Sequence, residues 1–165
     1  MTILYVILIV LAALGVLSLL AIMPRMGHRE ERKDFLHTLY AHRGLHDNAS
    51  DAPENSMAAF KKAVKAGYGI EMDVQLTKDK VPVVFHDFTL ERICGREGKI
   101  SDYTWDELKE FKLCNSQETI PRFEEVLKTV NGKVPLIIEL KVEWMDISVC
   151  PVADGVLRDY KGLYC

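Results

Sequence analysis

The chain has 165 residues, 48% of them hydrophobic, with 21 Lys and Arg against 24 Asp and Glu and a net charge of −3. The first 24 carry no charge, so the remaining 141 hold all of it; this excludes a basic nucleic-acid binder and leaves room for one domain of roughly 100 to 150 residues, or part of one. Cys94, Cys114, Cys150 and Cys165 show no CxxC or other metal-ligand spacing and read as free thiols.

Thr2 to Met23 is an uninterrupted apolar run. At about 1.5 Å per residue it spans roughly 33 Å as a helix, against a hydrocarbon core of about 30 Å, and it reads as one transmembrane anchor. A cleaved signal peptide is the competing reading. No Lys or Arg precedes the run, however, and it exceeds the roughly 7 to 15 residues of a signal core and ends Ala21-Ile22-Met23-Pro24. Residues 24–37 then form a juxtamembrane linker. Its Arg25, Arg29, Arg32 and Lys33 predict, by the positive-inside bias, a single-pass membrane protein with a cytoplasmic body.

The body, residues 38–165, opens with a short strand, Thr38 to His42, and a polar loop from Gly44 to Pro53. Ser56 to Ala66 is a helix with Met57, Phe60, Ala63 and Val64 on one face, Asn55 or Ser56 as its cap and Gly67 as its end. Tyr68 to Leu76 and Val81 to His86 are strands separated only by a turn, which makes them antiparallel neighbours, because parallel ones need a crossover of about a dozen residues. Symmetric pairing about a four-residue turn would set 76 opposite 81, and hence His86 beside Glu71. A helix from Thr104 to Phe111 with a Thr104/Glu107 capping box follows, then a helix from Arg122 to Val130, a strand from Val134 to Lys141 and a helix from Val152 to Tyr160. Leu163 starts another strand. Strands alternating with helices argue for an α/β architecture on a parallel sheet.

Charges inside apolar strands are costly unless they serve a purpose. Glu71 and Asp73, two apart, share one strand face, as do Glu139 and Lys141 on another strand. His42 and Arg43 end the first strand, and His86 and Asp87 end the return strand of the hairpin. Three carboxylates at strand ends suit a hard, oxygen-ligated cation, Mg²⁺ or Ca²⁺, rather than Zn²⁺. Such a cation can polarise a phosphate held by Arg43 and Lys141, with the two histidines, His42 and His86, sharing the roles of general base and general acid. Singly, each of these residues is as readily a strand-end hydrogen bond or a structural ion pair, and Glu54 a helix N-terminal carboxylate.

Taken together, His42-Arg43-Gly44, Pro53-Glu54-Asn55-Ser56, Glu71-Met72-Asp73-Val74, Thr77-Lys78-Asp79, Val83-Val84-Phe85-His86-Asp87, Leu90-Glu91-Arg92, Ile120-Pro121, Glu125-Val126-Leu127 and Ile138-Glu139-Leu140-Lys141 resemble the glycerophosphodiester phosphodiesterases, and more remotely the phosphoinositide-specific phospholipases C. The resemblance implies a TIM-type barrel with its site at the carboxyl ends of the strands. It maps metal ligands onto Glu71, Asp73 and Glu139, acid/base histidines onto His42 and His86, phosphate contacts onto Arg43 and Lys141, and a further glutamate near the metal onto Glu54. The implied reaction cleaves a glycerophosphodiester, from a deacylated phospholipid or a lysophospholipid, to glycerol 3-phosphate and an alcohol. Such barrels take about 250 residues. The expectation is therefore the N-terminal portion of a barrel with a β-hairpin insertion, its C-terminal part missing, behind one transmembrane helix. A catalytically inactive membrane-anchored fragment or interaction module is the alternative.

Overall fold

A computed structural model describes residues 2–23, 33 and 35–165, which divide into two units, Met1–Leu36 and His37–Cys165. Most of the expected linker lies outside the described residues, including the Arg25, Arg29 and Arg32 on which the expected orientation rests. Within the first unit, helix α1 (Thr2–Ile22) contains a stretch, Ile3–Ile22, long and apolar enough to cross a membrane. The side chains from Ile3 to Ile22 are exposed.

The second unit is built around β2 (Gly69–Leu76). On one edge β2 pairs in parallel with β4 (Leu136–Leu140), from Ile70 opposite Leu136 to Val74 opposite Leu140. On the other edge it pairs first with β1 (Tyr40–Ala41), in parallel, and then with β3 (Pro82–Val84), antiparallel. Beyond β4 the sheet continues: Leu136 N–H donates to Leu163 C=O and Ile138 N–H to Cys165 C=O, each at 2.9 Å, in a parallel sense.

The side chains of β2 alternate between two environments because successive Cβ atoms leave opposite faces of a strand. Ile70, Met72 and Val74 are wholly buried against α2 (Met57–Ala66), α5 (Phe123–Val130) and α6 (Val149–Leu157), whose Phe60, Ala63, Phe123, Val126, Val130, Val149 and Ala153 complete this core. Burying one large apolar side chain is worth about 1.5–3 kcal/mol. Glu71, Asp73 and Gln75 are left on the opposite face. Ser56 Oγ accepts from Ala59 N–H at 3.1 Å and Gly67, at φ 76°, ends α2, as expected from the sequence.

The hairpin register differs from the symmetric expectation. Leu76 faces Pro82 and Val74 faces Val84, one residue off, so that Phe85 N–H, rather than that of Val84, meets Asp73 C=O at 2.9 Å, and the register does not set His86 opposite Glu71. The extra residue lies in the turn. Lys80 takes a left-handed φ of 63°, Thr77 Oγ1 accepts from Val81 N–H, and the loop runs over five residues, Thr77 to Val81. After β3 a second core forms, in which Val83 and Phe85 pack with Leu90, Ile93, Ile100, Leu108, Leu113 and Ile120. It carries short helices α3 (Glu91–Cys94) and α4 (Trp105–Leu108). The expected helix to Phe111 is thus cut to one turn: the chain leaves the helix after Leu108, and the Phe111 ring packs edge-on against Tyr103 at 5.2 Å.

Candidate active site

Parallel strands bring their carboxyl ends to one side, and the polar residues collect there. Carboxylate oxygens of Glu71, Asp73 and Glu139 all lie within 4.8 Å of one another. Glu139 sits directly opposite Asp73 in the β2–β4 register, which fixes that closeness through the backbone.

The loop after β1 supplies the next group. Arg43 adopts a left-handed φ of 56° and Gly44 one of 83°, a turn that aims Arg43 N–H at Glu71 Oε2, 3.0 Å away. Only glycine fits at position 44, since a Cβ there would meet Ala59 Cβ at 2.9 Å and the Ala59 carbonyl carbon at 3.0 Å. Arg43 Nη1 donates to Glu54 Oε1 at 2.8 Å and its Nε lies 3.7 Å from Asp73. His42 Nε2 stands 3.9 Å from Glu71 Oε2 on a largely exposed ring. Asp73 is wholly buried. It accepts from Asn55 Nδ2 at 3.0 Å, and Lys141 Nζ lies 3.0 Å from its other oxygen and 2.7 Å from Glu139.

Sequence reasoning thus placed Glu71, Asp73, Glu139, Arg43, Lys141 and His42 in one cluster, and the structure brings them together. For His86 the contact is with Asp87, its Nδ1 meeting Asp87 Oδ1 at 2.6 Å. Glu54 uses both oxygens on hydrogen bonds from Arg43, Asn48 and Arg92. Sequence reasoning gave Asn55 only the role of a candidate helix cap and left Arg92 without one. For Asn55 the signal was present: it sits at φ 54°, a left-handed position that asparagine tolerates better than most residues, immediately before a helix cap.

The electrostatics follow these contacts. Burial pushes the Glu71 carboxyl up, the charges of Asp73 and Glu139 push it the same way, and the Arg43 N–H opposes them. Burial alone would raise Glu54 too, but hydrogen bonds from Arg92, Asn48 and Arg43 outweigh it and bring the carboxyl down to about 2. Burial disfavours charge on Lys141, yet Glu139 and Asp73 prevail and raise its ammonium. Crowded carboxylates destabilise one another unless a cation sits among them. Asp73 Oδ1 is moreover buried without a hydrogen bond of proper geometry, so the donor set fits a hard divalent cation held by Glu71, Asp73 and Glu139. Beside Lys141 a cavity of about 230 Å³ opens, lined among others by Gln75, Thr77, Lys78 and Ser101.

Comparison with known proteins places the chain in one family. The family model of the glycerophosphoryl diester phosphodiesterase family matches residues 42–160. The chain is 40% identical over 112 residues to a glycerophosphodiester phosphodiesterase of Bacillus altitudinis, a match covering 64% of this chain and 44% of that one. Another such enzyme, from Caldanaerobacter subterraneus, is 42% identical over 111 residues, covering 62% and 44%. Among solved structures, a phosphodiesterase of Oleispira antarctica in complex with the product sn-glycerol-3-phosphate superposes with a TM-score of 0.68 at 32% identity, over 76% of this chain and 53% of that one. A glycerophosphodiester phosphodiesterase of Thermotoga maritima gives 0.64 at 34% identity, over 78% and 53%. The chain spans about half the length of the curated relatives it matches.

Proposed function

The chain belongs to the glycerophosphoryl diester phosphodiesterase family, and from that premise we propose that it hydrolyses a glycerophosphodiester, a deacylated phospholipid or a lysophospholipid, to glycerol 3-phosphate and an alcohol. The observation that carries this reading is the convergence of Glu71, Asp73 and Glu139 beside two cationic side chains, Arg43 and Lys141, in a chain similar to a product-bound phosphodiesterase. Glu71, Asp73 and Glu139 would hold Mg²⁺ or Ca²⁺, which would supply neutralisation of the charge that grows on the phosphoryl oxygens.

The remaining work falls to the chain's own groups. Arg43 and Lys141 hold phosphate oxygens; a guanidinium does so by paired hydrogen bonds and an ammonium as a point charge. His42 and His86 divide the proton transfers, one relieving the attacking hydroxyl of its proton and the other protonating the departing alcohol. The Asp87 contact keeps the proton of His86 on Nδ1 and leaves Nε2 as the exchanging atom. Water and the glycerol 2-hydroxyl both suit these residues as nucleophile.

Glycerophosphocholine incubated with the purified protein and Mg²⁺ or Ca²⁺ is expected to yield glycerol 3-phosphate, with the rate falling by about tenfold or more on chelation. Cation binding without any turnover under either ion would overturn the enzymatic reading and leave the non-catalytic module in its place.

The apolar stretch Ile3–Ile22 supports a single-pass anchor holding this body at a membrane, on the cytoplasmic side by the basic residues that follow it. Protease added outside right-side-out vesicles is expected to spare the body, and its digestion there would reverse the orientation.

A further inference from the structure

Arg92 takes no part in the proposed proton and phosphate contacts, yet its guanidinium spans two carboxylates. Nη1 and Nη2 donate to Glu54 Oε2 and Oε1 at 2.9 and 2.7 Å, while Nε and Nη2 donate to Asp87 Oδ2 and Oδ1 at 2.6 and 2.9 Å. Each carboxylate has a second client in the site. Glu54, 5% exposed, also accepts from Arg43 Nη1, and Asp87 accepts from His86 Nδ1. An unbroken chain of charge-assisted hydrogen bonds therefore runs Arg43, Glu54, Arg92, Asp87, His86. Its links come from different parts of the unit: Glu54 lies on the connection between β1 and α2, and Arg92 on α3, whose Ile93 belongs to the second core.

We propose that Arg92 is a positioning residue that fixes the His86 ring, through Asp87, and the Arg43 guanidinium, through Glu54, in one rigid frame. The inference deepens the phosphodiesterase reading and rests on it for its kinetic consequence. The physical ground is the fork geometry of guanidinium: two edges of a planar donor set can hold two carboxylates at fixed angles, which a single ammonium cannot reproduce. With Arg92 in place, Asp87 cannot turn away from His86, and the imidazole keeps one tautomer and one orientation. Without it Asp87 is free to rotate, and Glu54 loses its bidentate partner while still holding Arg43.

The test uses the full chain in detergent, as Arg92→Met, Arg92→Lys and Asp87→Asn. For glycerophosphocholine, Arg92→Met is expected to lower kcat by about 10- to 100-fold, the usual size of an outer-contact effect, with KM changed by less than about threefold, and Arg92→Lys to restore only part of the loss. Asp87→Asn unlinks His86 while leaving Arg92 on Glu54, so Arg92→Met made in that background should cost far less than it does alone. A readout independent of turnover is the ¹⁵N spectrum of the histidines, with His86 assigned from a His86→Gln difference. The wild type should show the Nδ1-protonated ring, and Arg92→Met and Arg92→Lys a mixture of tautomers. The tautomer result stands even if the wild type proves inactive, which separates failure of this inference from failure of the enzymatic reading. Wild-type kcat in Arg92→Met and Arg92→Lys, or a wild-type tautomer in Arg92→Lys, overturns it. If Arg92→Met does not fold, Arg92→Lys decides alone.

Discussion

Replacing Asp73 by alanine is expected to remove about 3 kcal/mol of folding stability and, in the same stroke, high-affinity binding of the divalent cation. The side chain is 1% exposed and faces Lys141 Nζ at 3.0 Å, Asn55 Nδ2 at 3.0 Å and Arg43 Nε at 3.7 Å. Removing one member of such a buried group strands the others, a change worth about 3–5 kcal/mol when no other partner remains. The lower end applies here because Lys141 keeps Glu139 and Arg43 keeps Glu54. Asp73→Asn retains the volume and an acceptor for Asn55, so it should cost nearer 1–2 kcal/mol while losing the anionic ligand as fully as alanine does. Denaturant midpoints and calorimetric titration with Mg²⁺ and Ca²⁺ measure the two effects separately. Wild-type cation affinity in either variant would remove Asp73 from the metal site. Unchanged stability in Asp73→Ala would show that the cluster is more solvated than its burial implies.

That cluster was legible in the sequence because strand periodicity is short and rigid. Charges at 71 and 73, and again at 139 and 141, must share a face, and apolar residues at 70, 72 and 74 must take the other. Helix α2 was legible for the same reason, its apolar face, serine cap and terminal glycine all pointing to one structure. What escaped was whatever a local pattern does not encode. The hairpin slipped by one residue because Lys80 adopts a left-handed backbone angle that no lysine announces. Helix α6 begins at Val149 rather than Val152 because Pro151 falls in its first turn, where the missing N–H has no helical partner to lose. Helix α3, four residues long, is too short to show any period. Arg92 therefore gave no sign of its role, since one of its partners is 38 residues away on a different loop. Long-range ion pairs depend on the assembled fold, and the sequence order of Glu54, His86, Asp87 and Arg92 does not reveal that a single guanidinium joins them.

The second large effect concerns the histidines. His42→Ala and His86→Ala are each expected to lower kcat for glycerophosphocholine by about 10²- to 10⁴-fold, the range in which a positioned proton donor or acceptor contributes. His42, with a side chain 68% exposed, should lose this activity with a stability change of only about 0.5 kcal/mol, which separates chemistry from folding. A substrate with a better leaving group, such as glycerophospho-p-nitrophenol, divides the two roles, because a stable phenolate departs without a proton and so bypasses the general acid. We assign the acid role to His42, whose largely exposed ring stands 3.9 Å from Glu71 Oε2. We assign the base role to His86, whose Nδ1 is committed to Asp87, itself bound by Arg92, so that Nε2 is the atom presented to the nucleophile. His42→Ala should therefore recover most of its rate on the activated substrate, and His86→Ala little. Recovery by His86→Ala instead would exchange the assignments. Wild-type turnover of glycerophosphocholine in both variants would take the histidines out of the reaction altogether and leave catalysis to the acidic cluster with Arg43 and Lys141.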